Sequence, residues 1–293
     1  MAKAPKDPLA QFKTPLRYPG GKSRACKKMD PFFPDLRNYN QFVEPFIGGG
    51  SVAIYVTKKN PNIKIWVNDL HQPLVNFWQQ LQMFGPEMQT KTLELKSRYP
   101  DRGSGKGLFQ ESLEYLNKPV EEQESLWSAI SFYIVNKCSF SGLTQSSCYS
   151  PQAFDSNFSV NNINKLTTFS NIIKNWKITN YSYDYLLEQS KEDDFFYLDP
   201  PYDIKDNLYG KKGSMHKGFN HDKFAEDCSK NSVHMMISYN SDQLVRDRFT
   251  DPKWNAAEFD LTYTMRSVGD YMSDQKTRKE LLLMNYESGS KVV

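Results

Sequence analysis

A chain of 293 residues with a formal charge of +3, 39% hydrophobic and 24% charged residues has the balance of a globular protein. It is long enough for one large α/β domain, and so small a charge permits a nucleic-acid partner without demanding one. Cys26, Cys138, Cys148 and Cys228 form no CxxC pair and His71, His216, His221 and His234 stand at no metal-ligand spacing beside them, so neither a zinc site nor a disulfide framework is expected.

The leader Met1 to Lys13 is basic and lacks an apolar core, and no later apolar run reaches membrane-spanning length. A reduced, cytoplasmic protein is the expectation. Thr14 to Ser23 is turn-rich, with Gly20 and Gly21 letting the backbone approach a ligand or simply forming a loop, and Lys22 just beyond. It lacks the glycine spacing of a phosphate loop. Gln41 to Ala53 then reads as a strand, a glycine turn (Gly48, Gly49, Gly50) and a helix start. Glu44 puts a carboxylate at the strand end, which suits a cationic amino-acid group better than a phosphate and favours S-adenosylmethionine over a dinucleotide. Ile63 to Asp69 is a second strand ending in an acid about 20 residues beyond the glycines, where Rossmann-like folds place a ribose-binding carboxylate. Asp69 equally suits a cap for the helix predicted over Gln72 to Gln82.

From Gly85 to about Lys177 the pattern becomes helical, with helices predicted over Met88 to Arg98, Phe109 to Asn117 and Val120 to Val135. Asn136 to Asn162 reads as a long polar loop, either a connector or a base-reading surface. It carries Lys137, Ser139, Gly142, Gln145, Asn157 and the aromatics Tyr149, Phe154 and Phe158, the last three available to meet a thymine methyl or wedge between base steps. Between Gly142 and Asn162 there is no arginine or lysine. Phosphate contacts are therefore expected from Lys137 and Lys165.

The apolar run Phe195 to Leu198 ends in Asp199-Pro200-Pro201-Tyr202, a buried parallel strand that stops abruptly at its carboxyl end, where open α/β sheets bind ligands. The two prolines remove N–H donors and stiffen the carbonyls as acceptors. The corner is either a plain proline turn or a receiver for a planar amine. A carboxylate and a carbonyl that accept both amine hydrogens of adenine would pyramidalise the nitrogen and aim its lone pair at an electrophile, with Tyr202 stacked on a base taken out of the duplex. Beyond it, Gly218 to Phe224 predicts a turn and helix entry capped near Asn220 or Asp222, and Val233 to Asn240 a further central strand. Leu261 to Arg266 and Arg278 to Tyr286 predict a closing hairpin.

Taken together, Tyr18-Pro19-Gly20-Gly21-Lys22, Glu44-Pro45-Phe46-Ile47-Gly48-Gly49-Gly50-Ser51, Asn68-Asp69 and Asp199-Pro200-Pro201-Tyr202 resemble, in order, the motifs of the Dam-like, α-group DNA adenine-N6 methyltransferases. The resemblance runs from about Leu16 to Tyr286. It implies a Rossmann-like sheet from residues 1–84 and 178–293 with a mainly helical target-recognition insert at 85–177. It also implies S-adenosylmethionine as methyl donor with no metal, held by Tyr18, Lys22, the Glu44 to Ser51 loop, Asp69 and Asp199. Asp199 to Tyr202 would hold a flipped adenine of double-stranded DNA, and Lys137, Ser139, Gly142, Gln145 and Tyr149 would meet the DNA. Asn136 to Leu143 looks like the entry to the family's DNA-reading hairpin, and Glu280-Leu281-Leu282 with Asn285-Tyr286 looks like its last strand.

Two departures stand out. Ser182 lies where the family often has an acid for the cofactor adenine, with Asp184 two residues on, and Thr144 to Tyr149 lacks the basic hairpin of GATC readers. A target other than GATC, or a relaxed one, is expected. N4-cytosine methylation and a catalytically silent DNA-binding regulator are the alternatives, and Asp199 and the intact corner argue against each in turn. A monomer or weak dimer is expected, and a restriction endonuclease partner is left open.

Overall fold

The computed structural model describes residues 9–18, 20–140, 148–202, 218–260 and 279–287. In chain order its elements are α1 (Cys26–Met29), β1 (Gln41–Glu44), α2 (Ser51–Lys59), β2 (Lys64–Asn68), α3 (Gln72–Arg98), α4 (Arg102–Leu116), α5 (Ser125–Cys138), α6 (Pro151–Asn157), α7 (Val160–Ile163), α8 (Leu166–Ile173), β3 (Lys177–Thr179), α9 (Tyr183–Glu188), β4 (Asp194–Leu198), α10 (His221–Lys230), β5 (His234–Asn240), α11 (Gln243–Arg248), β6 (Asn255–Asp260) and β7 (Lys279–Met284). The strands form one seven-stranded sheet in the order β3-β2-β1-β4-β5-β7-β6. β1 to β5 are parallel, while β7 runs antiparallel between β5 and β6.

Burial on both faces explains why the central strands read as continuous apolar runs. Every residue of β4 is buried. Its side chains alternate between two cores: Phe195 and Tyr197 join Phe42, Leu282 and Met284 on one face, and Phe196 and Leu198 join Val43, Leu281 and Leu283 on the other. The first core continues without a break into α3, α5 and α8; the second is closed by α9, α10 and α11. β1 lies between β2 and β4, so the chain leaves it to one side and later returns on the other. That reversal of winding opens a crevice at the carboxyl ends of β1 and β4.

The helices differ from the sequence expectation in instructive ways. The segments predicted as Gln72 to Gln82 and Met88 to Arg98 are one helix with a kink, Phe84 having φ −129° and ψ 28°. Pro86 follows two residues later, and its missing N–H and ring supply the cause. The helix predicted over Val120 to Val135 instead starts at Ser125, after a 3-10 turn at Val120–Glu122. Gln123 is extended there, and its side-chain amide donates to the Lys118 and Leu116 carbonyls, which ends the turn.

Among its described residues, the long loop predicted over Asn136 to Asn162 is mostly helical. α5 runs on to Cys138, and Ser150 and Ser159, read as loop residues, cap α6 and α7 through their hydroxyls. Phe154 and Phe158 are fully buried, packed on each other at 5.7 Å, so they are core residues and not available to wedge into DNA. The closing hairpin is present, but the partner of β7 is β6 at Asn255–Asp260; Leu261 to Arg266 lies outside the described residues. Asn-Ala-Ala-Glu has weak strand propensity, which is why β6 was missed. β3 was missed because a three-residue edge strand carries too little pattern.

Candidate active site

A cavity of about 300 Å³ opens at the carboxyl ends of β1, β2 and β4. Two turns build its floor. Gly48 has φ 46° and sits so close to the Tyr18 ring that an added Cβ would come within 2.8 Å of it. Gly50, with φ 68°, is the N-cap of α2, and a Cβ there would fall 2.6 Å from the Trp78 ring. Thr14 ties the two stretches together, its hydroxyl donating to the Gly49 carbonyl at 2.5 Å.

The residues expected to bind cofactor converge here. Tyr18, Lys22, Glu44, Pro45, Phe46, Gly48, Ser51, Asp69 and Asp199 line the cavity, as do Pro200 and Pro201. Gly50 does not; it makes room for Trp78 behind the wall. Asp69 accepts the Gly48 amide through Oδ2 and the His71 amide through Oδ1, each at 3.0 Å. It thus braces the glycine turn and the start of α3 while remaining on the cavity wall, so its two sequence readings are compatible.

Lys22 follows Gly21 into a short 3-10 turn and is only 2% exposed. Its Nζ donates to Asp199 Oδ1 at 2.8 Å, to the Tyr202 hydroxyl at 2.6 Å and to the Gly20 carbonyl at 3.2 Å. Tyr202 is buried behind the corner, with Lys22 Nζ 4.9 Å from its ring centroid and Tyr239 on its other flank at 6.1 Å. Glu44 Oε2 is buried without a hydrogen-bond partner among the described residues. Burial, and then the negative charge of Asp199, push the Glu44 carboxyl well up. Asp69 is pushed up to about 6 by burial. Asp199 also rises to about 6 by burial, against the opposing pull of Lys22.

The cavity therefore gathers three buried carboxyl groups, Glu44, Asp69 and Asp199, while the buried Lys22 ammonium is paired with Asp199 and, behind the wall, with Glu280. An excess of buried carboxylate with an unsatisfied oxygen fits a ligand bearing an ammonium and a sulfonium, and not an anion. The apolar wall is supplied by Phe46, Tyr183 and Phe219, whose rings meet pairwise at 5.6 to 5.8 Å. Tyr183 and Phe219 were not among the residues expected to bind cofactor: Tyr183 follows Ser182 at the start of α9, in the stretch where the family's acid is missing, and Phe219 precedes α10 with no local motif. Ser182 and Asp184 both line the cavity, and Asp184 is paired with Lys223 at 3.2 Å.

The residues expected to meet DNA lie elsewhere. Lys137 is 7% exposed on α5 and its amine is pushed down to about 7 by burial and then by the charges of Arg17 and Lys165. Ser139 is buried, its hydroxyl donating to the Asn136 carbonyl at 3.2 Å. Tyr149 is half-buried against Phe109 and Phe154 and donates to the Arg102 carbonyl at 2.8 Å. Ser139 and Tyr149 form an isolated antiparallel bridge. Gly142 and Gln145 lie outside the described residues.

A Rossmann-like sheet, an acidic cavity at its switch point and a helical region inserted between β2 and β3 define an S-adenosylmethionine-dependent methyltransferase. The chain belongs to the D12 class of N6 adenine-specific DNA methyltransferases, whose family model matches residues 18–265. It is similar to the type II methyltransferase M.MjaIII of Methanocaldococcus jannaschii, with 22% identity over 244 residues covering 78% of this chain and 84% of that protein. It is also 22% identical over 282 residues to the type II methyltransferase M1.LlaDCHI of Lactococcus lactis subsp. cremoris, covering 92% of this chain and 94% of the relative. The modification methylase StsI of Streptococcus sanguinis is 26% identical over 302 aligned positions, which take in 94% of this chain but only 43% of StsI. The chain is thus an adenine-specific DNA methyltransferase. Among the described residues no cluster of histidine, cysteine or carboxylate side chains could hold a metal, and no helix is long and apolar enough to cross a membrane.

Proposed function

We propose that Asp199 to Tyr202 receives the flipped adenine and that the helical region 85–177 chooses the sequence around it. The observation that carries the first half is the setting of Asp199: a carboxylate on the cavity wall, pinned through Oδ1 by a buried lysine and followed by two prolines that share that wall. Asp199 and the proline-stiffened carbonyl accept the two N6 hydrogens, and the nitrogen lone pair turns toward the cofactor. When bound, S-adenosylmethionine supplies an electrophilic methyl group. Glu44, Asp69, Tyr18, Lys22 and the Pro45 to Ser51 loop would hold it. Tyr202, expected to stack on the base, is instead buried behind the wall between Lys22 and Tyr239; fixed by its hydroxyl to Lys22 and Glu280, it keeps the corner rigid. The duplex DNA substrate places the protein in the cytoplasm, on the nucleoid of a bacterial or phage-infected cell.

For the second half we favour a target other than GATC, or a relaxed one, read by residues 137–160. Phe154 and Phe158, being core, hold that region together and do not read bases. The basic groups at its root are Lys137, Lys165 and Arg17, which supply phosphate attraction and no sequence information. Purified protein with labelled S-adenosylmethionine and duplex DNA should yield N6-methyladenine, and mapping of modified sites should return contexts beyond GATC. Label only in N4- or C5-methylcytosine would overturn the roles given to the corner, and methylation strictly at GATC would overturn the target reading.

A further inference from the structure

Glu280 is a carboxylate at the start of the apolar run of its strand, ahead of three leucines and a methionine. It lies on β7, is 1% exposed, and is followed by the buried Leu281, Leu282 and Leu283. An acid placed there is costly unless its neighbours satisfy it. Its Oε1 accepts the Tyr202 hydroxyl at 2.6 Å and the Ser238 hydroxyl from β5, and lies 3.3 Å from Lys22 Nζ.

A carboxylate only accepts, so it fixes the polarity of everything around it. Tyr202 must donate to Glu280 and therefore turns its oxygen lone pair to Lys22, which donates to it at 2.6 Å. The ammonium is then left to point another proton at Asp199 Oδ1, 2.8 Å away. Glu280 never reaches the cavity, yet it determines which way the lysine that grips Asp199 is turned.

We propose that Glu280 is a positioning residue for methyl transfer, holding the Lys22 ammonium and the Tyr202 hydroxyl so that the Asp199 carboxylate meets the adenine amine in a single orientation. The inference rests on the role given to Asp199 above. Its rival is a purely structural one, in which Glu280 only helps to pin β7 against β5, where it lies opposite Asn240.

The groups facing Asp199 are Lys22 from the turn after Gly21, Glu280 from β7, Glu44 from the end of β1, Tyr197 from β4 and Tyr202 beside it. The negative charge of Glu280 raises the proton affinity of Asp199, and the pairing with Lys22 lowers it. Removing the Glu280 charge should therefore make Asp199 ionise more readily. That shift follows from charge alone; what tells the positioning role from a structural one is Tyr202→Phe, which keeps Glu280 and its charge and removes only the hydroxyl that fixes the direction of Lys22.

The test is kcat for methyl transfer from labelled S-adenosylmethionine to duplex DNA as a function of pH, for the full chain and Glu280→Gln. Loss of a charged hydrogen-bond partner should lower kcat by about 10- to 100-fold, leave KM for S-adenosylmethionine little changed, and move the acid limb of the profile to lower pH. Tyr202→Phe keeps the ring and the Glu280 charge but frees the Lys22 ammonium from its fixed direction, so it should weaken the Lys22–Asp199 pair, lower kcat and move the acid limb to higher pH; it also serves where Glu280→Gln does not fold. Unchanged kcat, or a lower kcat in Tyr202→Phe with its acid limb unmoved, would overturn the proposal. Failure of the wild-type protein to form N6-methyladenine would instead overturn the reading of Asp199 itself.

Discussion

The cavity at the sheet's carboxyl edge and the root of the 139–150 segment are built by the same means with opposite sign. In the first, Glu44, Asp69 and Asp199 share a wall with the buried Lys22, whose ammonium pairs with Asp199 and Glu280; in the second, Arg17, Lys137 and Lys165 come together on and around α5. Burial acts on both and pushes each toward neutrality, Asp69 and Asp199 up to about 6 and Lys137 down to about 7. A buried excess of one charge is a strained arrangement in the free protein and a complementary one when the opposite charge arrives. On the proposed reading, the first region is matched to a cationic methyl donor and the second to a polyanionic duplex. A physical link joins them: Asn136 exchanges hydrogen bonds with both backbone groups of Arg17 at 2.9 and 2.6 Å, the Arg17 guanidinium donates to the Ser139 carbonyl at 2.6 Å, and the next residue, Tyr18, packs beneath Gly48.

The largest effect that could break this division is on chemistry. Asp199→Ala should lower turnover by about 100- to 1000-fold, the usual loss when one preorganised polar group is removed from a reacting centre. Lys137→Ala should leave the single-turnover rate at saturating DNA unchanged, if the proposed role of that lysine in DNA binding is its whole role. Rapid-quench measurement on both variants checks this, and comparable losses in the two would erase the distinction.

Next in size is cofactor affinity. Glu44→Gln keeps the shape of the side chain and removes the charge whose Oε2 has no partner among the described residues. S-adenosylmethionine should bind about 10- to 100-fold more weakly, as for a lost charged hydrogen bond. Calorimetry is the test, and unchanged affinity would make Glu44 a passive wall.

How much of this the sequence revealed follows the same division. Glu44, Asp69 and Asp199 each end an apolar run next to a glycine, proline or helix-start signal, so their positions at a sheet edge could be read from local pattern alone. Strands β1, β2, β4, β5 and β7 were legible for the same reason. The role of Glu280 was not, because it depends on β7 inserting antiparallel beside β5, which brings Glu280 to Tyr202, 78 positions earlier. Polar composition misled in the other region, where Ser150 and Ser159 proved to be helix caps and Phe154 and Phe158 core. Burial of Lys137 on α5 could not be read at all, since nothing local distinguishes it from an exposed lysine at a helix end.

A smaller effect concerns salt. If Lys137 meets a phosphate, Lys137→Met should reduce the slope of log affinity for duplex DNA against log salt by about 0.9, one contact's worth of counterion release. Cofactor affinity should not change. An unaltered slope in a folded variant would remove Lys137 from the DNA interface.

The smallest effect is the one that tests the comparison most directly, because the two ligands should exchange protons in opposite directions. Asp69 and Asp199 are raised from 3.8 to about 6 in the folded protein. Their contribution to stability is therefore in place below about pH 4 and is lost as pH rises through about 6. A cation entering the cavity favours their ionised forms, so S-adenosylmethionine should bind with proton release near pH 6, and its affinity should rise with pH up to that point. Lys137 is lowered from 10.5 to about 7. Its contribution is in place above about pH 10.5 and is lost as pH falls through about 7. A phosphate beside it favours the ammonium, so DNA should bind with proton uptake just above pH 7, and affinity should fall as pH rises through that range. Titration calorimetry in buffers of different ionisation enthalpy counts these protons for each ligand separately. Protons moving in the same direction for both, or for neither, would mean that the buried charges are not waiting for their ligands.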